Sequence, residues 1–169
     1  MKGYYKNPEA TLEVINEEGW FKTGDIGFVD EEGYLHITDR KKEIFKLSNG
    51  KYIAPQKLEN KLKESFLINQ AVVLGENEKY PVALISPNID FFSVWVKKEK
   101  IEIDNKSHIS ENTTLKEKLK KEIEKINKKL AEHEKIRNFV ILKEDLSISK
   151  GELSNTLKLK RQVIFNKYK

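Results

Sequence analysis

The segment Thr-Gly-Asp-Ile-Gly at residues 23–27 places one carboxylate between two glycines, where an apolar, strand-like pattern breaks. Glycine lets the backbone follow a tight path, and a carboxylate fixed in such a place can accept hydrogen bonds from two vicinal hydroxyls, such as those of a ribose. Asp25 is therefore a candidate for binding a nucleotide. For the motif taken alone, an ordinary turn closed by a side-chain to backbone hydrogen bond is the simpler interpretation.

Five consecutive charged residues occupy positions 39–43, between two apolar segments. Arg40 offers a planar fork of donors that suits phosphate or ribose oxygens, and Lys42 lies in a short charged connector of the kind that can serve as a backbone pivot. A charged strand edge that discourages aggregation is the simpler alternative for these residues taken alone.

Near the carboxyl end, Lys158 and Lys160 alternate with Leu157 and Leu159. In an extended segment this spacing places both lysines on one face, and a lysine delivered to a bound nucleotide could stabilise charge that develops on phosphate oxygens. Because 29 of the 32 basic residues are lysines, the pattern by itself does not single out either one.

Other kinds of site find little support in the sequence. It contains neither the Gly-x-x-x-x-Gly-Lys-Ser/Thr loop nor the Gly-x-Gly-x-x-Gly loop that binds phosphates. His36, His108 and His133 are too dispersed to suggest metal ligands, and no Ser/His/Asp arrangement stands out. The absence of cysteine rules out disulfides, thiolate metal sites and cysteine nucleophiles.

The elements around these candidates alternate between strands and helices, which predicts an α+β or α/β arrangement for residues 43–169. Asn7 and Pro8 predict the start of a short helix, and residues 20–29 and 34–38 predict a β-hairpin. Residues 99–110 are polar and are expected to form a loop. Further strands are predicted at 44–47, 52–53, 70–74, 82–86 and 138–142, and further helices from Pro55, Asn88, Thr113 and Leu159.

Two of the predicted helices show a clear apolar face. Leu58, Leu62 and Phe66 recur every fourth residue, so a helix from Pro55 should bury all three. From Thr113 onward the spacing of apolar residues is that of a long amphipathic packing helix. Its predicted buried residues are Leu115, Leu119, Ile123, Ile126 and Leu130.

The 169 residues can form one ordinary domain, or a small domain and a piece of another. Residues 1–41 carry 5 basic and 9 acidic residues, whereas residues 42–169 carry 27 basic and 18 acidic residues. The basic part allows binding to nucleic acid, anionic lipid or a phosphorylated ligand, but general lysine enrichment explains most of it. No apolar run approaches the ~20 residues of a membrane-spanning helix, and the first residues lack the apolar core of a signal peptide.

Read in order, GWFKTGDIGFVDEEGYLHITDRKKEIFKLSNGKYIAPQKLE at residues 19–59 resembles the C-terminal signature of adenylate-forming enzymes, most closely that of the long-chain acyl-CoA synthetases. The resemblance continues more weakly through QAVVLGENEKYPVALISPN and returns at SNTLKLKR. The ordered combination is far more specific than any single motif.

The resemblance implies a two-step reaction: a long-chain fatty acid attacks ATP to give acyl-adenylate and pyrophosphate, and coenzyme A then displaces AMP. Mg²⁺ accompanies the ATP. By position, Asp25 and Arg40 would bind the nucleotide, Lys42 would be the hinge, Gly50 would line the coenzyme A tunnel, and Lys158 would be the adenylation lysine. The residues before Lys158 depart from the family pattern, so Lys160 is the competing assignment.

The resemblance also implies a division of the chain. Residues 1–41 would be the end of a large N-terminal adenylation domain, ending in a β-hairpin, and residues 42–169 a mobile C-terminal domain with a central sheet and packed helices. Because the phosphate loop and the acyl pocket of the family have no counterpart here, the chain alone is expected to be inactive and to need that N-terminal domain as its partner. It is expected in the cytoplasm or peripherally on an intracellular membrane.

Two other function classes are compatible with the sequence. A non-catalytic binding or regulatory module could keep the fold and lose the chemistry. A nucleic-acid-binding domain has only the basic charge of residues 42–169 in its favour, without an interleaved aromatic and basic motif, so no nucleic-acid partner is expected.

Overall fold

The structure is a computed structural model that describes residues 1–99 and 111–168. The chain divides into two compact units, Met1–Ile44 and Phe45–Lys169. Most of the predicted loop at 99–110 lies outside the described residues.

The first unit contains one helix and one hairpin. Helix α1 (Pro8–Val14) begins as predicted, because the Asn7 side chain accepts a hydrogen bond from the Ala10 N–H at 3.0 Å and Pro8 occupies the first helical turn. Strands β1 (Asp25–Val29) and β2 (Leu35–Arg40) pair antiparallel. The predicted hairpin is therefore confirmed, although its first strand begins at Asp25 and not at residue 20.

The second strand of the hairpin is longer than the sequence predicted. β2 continues through Asp39 and Arg40 instead of ending at Thr38, because Arg40 pairs with Asp25 and the Lys41 N–H then donates to the Gly24 carbonyl at 2.8 Å. The first two charges of the 39–43 cluster therefore belong to the strand.

Gly27 is required for the close approach of these strands. A Cβ atom at this position would overlap the backbone carbonyl oxygen of His36 on the partner strand. The pairing register also shifts between Ile26 and Gly27, so the strand is irregular at this point.

The second unit is built on a three-stranded sheet of β5 (Ile68–Leu74), β6 (Val82–Pro87) and β7 (Asn138–Ile141), in the order β5-β6-β7. β5 and β6 are antiparallel, whereas β6 and β7 are parallel. A two-stranded ribbon of β3 (Phe45–Lys46) and β4 (Tyr52–Ile53) precedes it. The described residues of this unit form the α-helices α2 (Pro55–Leu62), α3 (Ile89–Glu99), α4 (Thr113–Asn127) and α5 (Arg161–Tyr168), and a 3-10 helix at Glu132–Glu134.

The sheet of the second unit is covered on both faces. Alternate strand residues point to opposite sides, so Ala83 and Ile85 join one buried cluster and Leu84 joins the other. The first cluster contains the buried leucines of α2 and the buried apolar side chains of α3 and α4, and the second contains Ile164 of α5. This α+β architecture is the predicted fold class.

Two predictions about the helices were wrong in detail. Helix α2 ends at Leu62, and the turn that follows carries Phe66 away from the apolar face, so Phe66 is 77% exposed. In α4, Leu115, Leu119 and Ile123 are buried as predicted, but the helix ends at Asn127. Leu130 is buried beyond the end of the helix.

Candidate functional site

Asp25 and Arg40 lie opposite each other at the open end of the β1–β2 hairpin. The Arg40 Nε atom is 2.8 Å from the Asp25 Oδ1 atom, and 52% of the Arg40 side chain and 24% of the Asp25 side chain are exposed. The Asp25 N–H donates to Thr23 Oγ1 at 3.1 Å, so the turn expected at 23–25 does form. Its closing side chain is that of Thr23, and the Asp25 carboxylate is directed to the arginine.

Asp39 is a buried carboxylate that the sequence interpretation missed. It is 1% exposed, and its Oδ1 atom accepts a hydrogen bond from the Arg40 N–H at 2.6 Å. Because neighbouring residues in a strand point to opposite sides, Asp39 faces inward while Arg40 faces solvent. The sequence signal is that two charged residues adjacent in one strand, Asp39 and Arg40, must face opposite sides, so one of them must point inward.

Lys42 lies in the turn that follows β2. The N–H groups of Glu43 and Ile44 both donate to the Arg40 carbonyl, at 2.9 and 3.3 Å. The Lys42 side chain is exposed, and the boundary between the two compact units falls two residues later, after Ile44.

Gly50 lies in the tight turn between β3 and β4. The Gly50 N–H donates to the Leu47 carbonyl at 2.9 Å, and Gly50 has a φ of +83°, which favours glycine. A Cβ atom here would come no closer than 3.8 Å to the nearest side-chain atom, Lys46 Cε, so the need for glycine is conformational rather than steric.

Lys158 directly follows a tight turn, and this corrects the extended segment predicted around it. The Ser154 N–H donates to the Lys158 carbonyl at 2.8 Å, the Lys158 N–H donates to Ser154 Oγ at 3.1 Å, and Leu157 has a φ of +59°. Leu153 and Leu159 then form an isolated antiparallel bridge. Lys158 and Lys160 are both exposed, but so is Leu157, at 69%, so the predicted alternation of apolar and basic faces is not formed.

The predicted site residues are therefore distributed over several turns. The structure joins Asp25 directly to Arg40. Lys42 and Gly50 each lie in a turn and Lys158 directly follows one; Lys42 belongs to the first unit and the other two to the second.

Two buried carboxylates of the second unit were also missed. The side chain of Glu59 in α2 is 4% exposed. Its two carboxylate oxygens accept hydrogen bonds from the two terminal nitrogens of Arg161, at 2.6 and 2.7 Å. The Val73 N–H donates to the same carboxylate at 2.8 Å. Arg161 is one of three arginines in a lysine-rich chain, which is the signal that could have drawn attention to it.

Glu152 lies in the loop before Lys158, with a side chain that is fully buried. It accepts hydrogen bonds from the Ser147 N–H at 3.1 Å, from Lys167 Nζ at 2.7 Å and from the Tyr168 hydroxyl at 2.9 Å. Burial alone would raise the pKa of Glu152, but these hydrogen bonds outweigh it and the pKa lies below its ordinary value.

Within residues 1–99 and 111–168 there is no group of three or more His, Cys, Asp and Glu side chains that could hold a metal ion. Among the helices of the same residues, none has the length and apolar character needed to cross a membrane.

The second unit is a small α+β domain with a mixed sheet and helices on both faces. In the sequence it follows a hairpin whose open end carries the Asp25–Arg40 pair. The family model for the AMP-binding enzyme C-terminal domain matches residues 42–169. The chain belongs to this family.

Curated relatives and solved structures place the chain among adenylate-forming enzymes. Long-chain-fatty-acid–CoA ligase FadD15 of Mycobacterium tuberculosis is 38% identical over an alignment that covers 99% of this chain and 28% of the relative. Long-chain-fatty-acid–CoA ligase 5 of Mus musculus is 37% identical over 95% of this chain and 24% of its own length. The chain thus spans about a quarter of the length of the curated relatives it matches.

The adenylation domain of a carboxylic acid reductase from Segniliparus rugosus, solved with AMP and a co-purified carboxylic acid, superposes with a TM-score of 0.78 at 30% identity. The match covers 98% of this chain and 24% of that chain. The adenylation domain of a carboxylate reductase from Mycobacterium chelonae gives a TM-score of 0.77 at 27% identity, with 98% and 24% coverage.

Proposed function

We propose that this chain is the C-terminal part of an AMP-forming long-chain fatty acid–CoA ligase. The whole enzyme would activate a long-chain fatty acid with ATP to acyl-adenylate and then transfer the acyl group to coenzyme A. The observation that carries the proposal is 38% identity to a ligase of this kind over 99% of the chain. Because the chain corresponds to about a quarter of such an enzyme, it would act together with a large N-terminal adenylation domain.

In this proposal Asp25 and Arg40 bind the nucleotide. A carboxylate can accept hydrogen bonds from both hydroxyls of a ribose, and a guanidinium can donate to ribose or phosphate oxygens. Their contact joins one carboxylate oxygen to one guanidinium nitrogen, and half of the Arg40 side chain faces solvent. The buried Asp39 carboxylate holds the Arg40 backbone at 2.6 Å. The pair would therefore reach the nucleotide from a fixed backbone position.

Lys158 is the proposed adenylation lysine. Its exposed ammonium group would neutralise charge on the fatty acid carboxylate and the α-phosphate as the acyl-adenylate forms. Lys160, which is also exposed, is the alternative. The backbones of both residues are hydrogen-bonded, Lys160 to the Glu152 carbonyl at 2.8 Å and Lys158 to Ser154, so Lys158 is preferred because it matches the family lysine by position.

The second step is proposed to use other residues of the same chain. Lys42 would be the hinge about which the C-terminal domain, from residue 42 onward, turns between the two half-reactions. Gly50 would then line the tunnel through which the pantetheine arm of coenzyme A enters. Its exposed position in a glycine-dependent turn supports a role in which backbone passes close to a ligand.

ATP and coenzyme A would be substrates, and Mg²⁺ would accompany the ATP. Mg²⁺ in sites of this kind is held largely by substrate phosphates together with one or two carboxylates.

The complete enzyme is proposed to work in the cytoplasm or peripherally on an intracellular membrane. Exposed lysines of the basic carboxyl-terminal segment, such as Lys160, could contribute weakly at an anionic surface.

The direct test is formation of acyl-CoA by the full-length product of the reading frame that contains this chain. Thioester that requires ATP, fatty acid and coenzyme A together, with release of AMP, supports the proposal. A full-length product that binds none of these substrates and forms neither acyl-adenylate nor thioester would instead favour the non-catalytic module. The proposal also predicts that residues 1–169 alone form no acyl-adenylate.

A further inference from the structure

Arg161 and Glu59 form a mostly buried ion pair inside the second unit. The side chains are 18% and 4% exposed, and the two guanidinium–carboxylate distances are 2.6 and 2.7 Å. This two-bond geometry fixes orientation as well as distance, which a lysine ammonium cannot do.

The pair connects three elements that are remote in the sequence. Glu59 belongs to α2 and also accepts from the Val73 N–H of β5, while Arg161 is the first residue of α5. The ion pair therefore links the first residue of α5 to α2 and to strand β5 of the sheet.

The start of α5 is also the outgoing end of the Lys158 turn. Arg161 follows Lys158 by three residues, and the Lys160 carbonyl accepts from the N–H of Val163 at 3.0 Å and from that of Ile164 at 3.1 Å. Lys160 thus joins the turn directly to the first turn of the helix. A displacement of Arg161 would move the backbone that carries Lys158.

The incoming end of the turn is anchored separately. Glu152 precedes the Leu153–Leu159 bridge, and its buried carboxylate is held by Lys167 and Tyr168 at the other end of α5. The Glu152 carbonyl also accepts from the Lys160 N–H at 2.8 Å. Both ends of the turn are therefore fixed to α5, while the turn itself is exposed.

We propose that Arg161 is a positioning residue for Lys158, acting through its two-bond ion pair with Glu59. The proposal rests on the adenylation role proposed above for Lys158. A buried ion pair is often no more stabilising than apolar residues of similar size, because both charges lose their hydration. Its specific contribution here is orientation, which matters because a misplacement of about 1 Å at a reacting centre can cost about 100-fold in rate.

The test measures the two half-reactions of the full-length protein separately, in Arg161→Lys and Glu59→Gln. Both changes remove the charged two-bond geometry with little change in volume. We expect kcat for acyl-adenylate formation to fall about 10- to 100-fold with little change in the KM for ATP. Thioester formation from supplied acyl-adenylate should remain within about 2-fold of the unmodified protein, since Lys158 would act in the first step.

Arg137→Lys is the matched control. Arg137 pairs with Glu132 at the surface, where the two side chains are 49% and 70% exposed. Surface ion pairs contribute little, so the same change of residue type should leave both half-reactions unaltered.

Amide hydrogen exchange gives a readout that does not depend on activity. In Arg161→Lys and Glu59→Gln, the amides of residues 153–160 should exchange faster, while those of β6 and β7 keep their protection. Unchanged exchange at 153–160, or an equal loss in both half-reactions, would overturn the positioning role. If the unmodified protein performs neither half-reaction, the proposed function fails, and the exchange result still decides whether Arg161 orders the turn.

Discussion

Asp25 and Arg40 are register partners at the open end of the β1–β2 hairpin, and the Arg40 Nε atom lies 2.8 Å from the Asp25 Oδ1 atom. They are 15 positions apart in the sequence, yet antiparallel pairing places their side chains together. One charged pair at a partly exposed strand end can present both an acceptor for hydroxyls and a donor for phosphate oxygens.

Replacing Arg40 by lysine should weaken nucleotide binding by the full-length protein. Lysine keeps the charge but loses the planar fork, and a hydrogen bond to a charged group is worth about 1.5–3 kcal/mol. We expect the KM for ATP to rise about 10-fold or more while the KM for the fatty acid is unchanged, as measured by release of pyrophosphate. Arg137→Lys is the control, and an unchanged KM for ATP in Arg40→Lys would contradict a nucleotide contact.

Replacing Lys42 by proline should impair the second half-reaction more than the first. Proline fixes its own φ and restricts the preceding residue, Lys41, whose N–H is bonded to the Gly24 carbonyl. We expect thioester formation to fall about 10-fold or more while acyl-adenylate formation is largely kept. Lys42→Ala removes the same side chain without restricting the backbone and should behave like the unmodified protein. A hinge role is excluded if both variants form thioester at the normal rate.

Replacing Gly50 by alanine should lower stability and also slow the thioester-forming step. At a φ of +83° a side chain costs about 1–2 kcal/mol, although the Cβ itself would meet no atom closer than 3.8 Å. Gly33→Ala is a matched control, because Gly33 also has a positive φ, of +88°, and open space around a Cβ.

Both glycine variants should lose a similar free energy of unfolding in urea. Thioester formation should fall in Gly50→Ala and not in Gly33→Ala. Equal activity of the two variants would remove Gly50 from the coenzyme A path.

The buried carboxylate of Glu152 predicts a pH-dependent contribution to stability. Because its pKa is lower in the folded protein than its ordinary value of 4.5, the contribution is fully present above that value and is lost as the pH falls through the folded pKa. The difference in unfolding free energy between the unmodified protein and Glu152→Gln should therefore shrink as the pH is lowered from about 6 to about 3. A difference that stays constant over this range would contradict the ionised, hydrogen-bonded state of Glu152.

Local patterns predicted most of the architecture. The Asn7-Pro8 helix start, the hairpin, the strands at 70–74 and 82–86 and the apolar face of α4 all follow from spacing or from residue-specific backbone preferences. Errors occurred where the pattern continued past the end of an element. Phe66 and Leu130 keep the helical spacing, but the chain has already turned before each of them.

The contacts around the candidate site were less predictable. Pairing of Glu59 with Arg161 spans 102 positions and depends on how α2, β5 and α5 assemble. Nothing in the local sequence fixes such a long-range partner. The turn at residues 154–158 depends on Ser154 as an acceptor and on a left-handed Leu157, a conformation that leucine rarely adopts, so an alternating Leu-Lys pattern predicted an extended segment instead.

The most direct test of the adenylation role proposed for Lys158 compares the two half-reactions of the full-length protein in Lys158→Ala and Lys160→Ala. We expect acyl-adenylate formation to fall about 100-fold or more in Lys158→Ala, as for loss of one charge-stabilising group, while the variant still transfers the acyl group of supplied acyl-adenylate to coenzyme A. Lys160→Ala should retain both reactions. If Lys158→Ala changes the two half-reactions equally, Lys158 is not the adenylation lysine. If only Lys160→Ala loses acyl-adenylate formation selectively, the adenylation role belongs to Lys160.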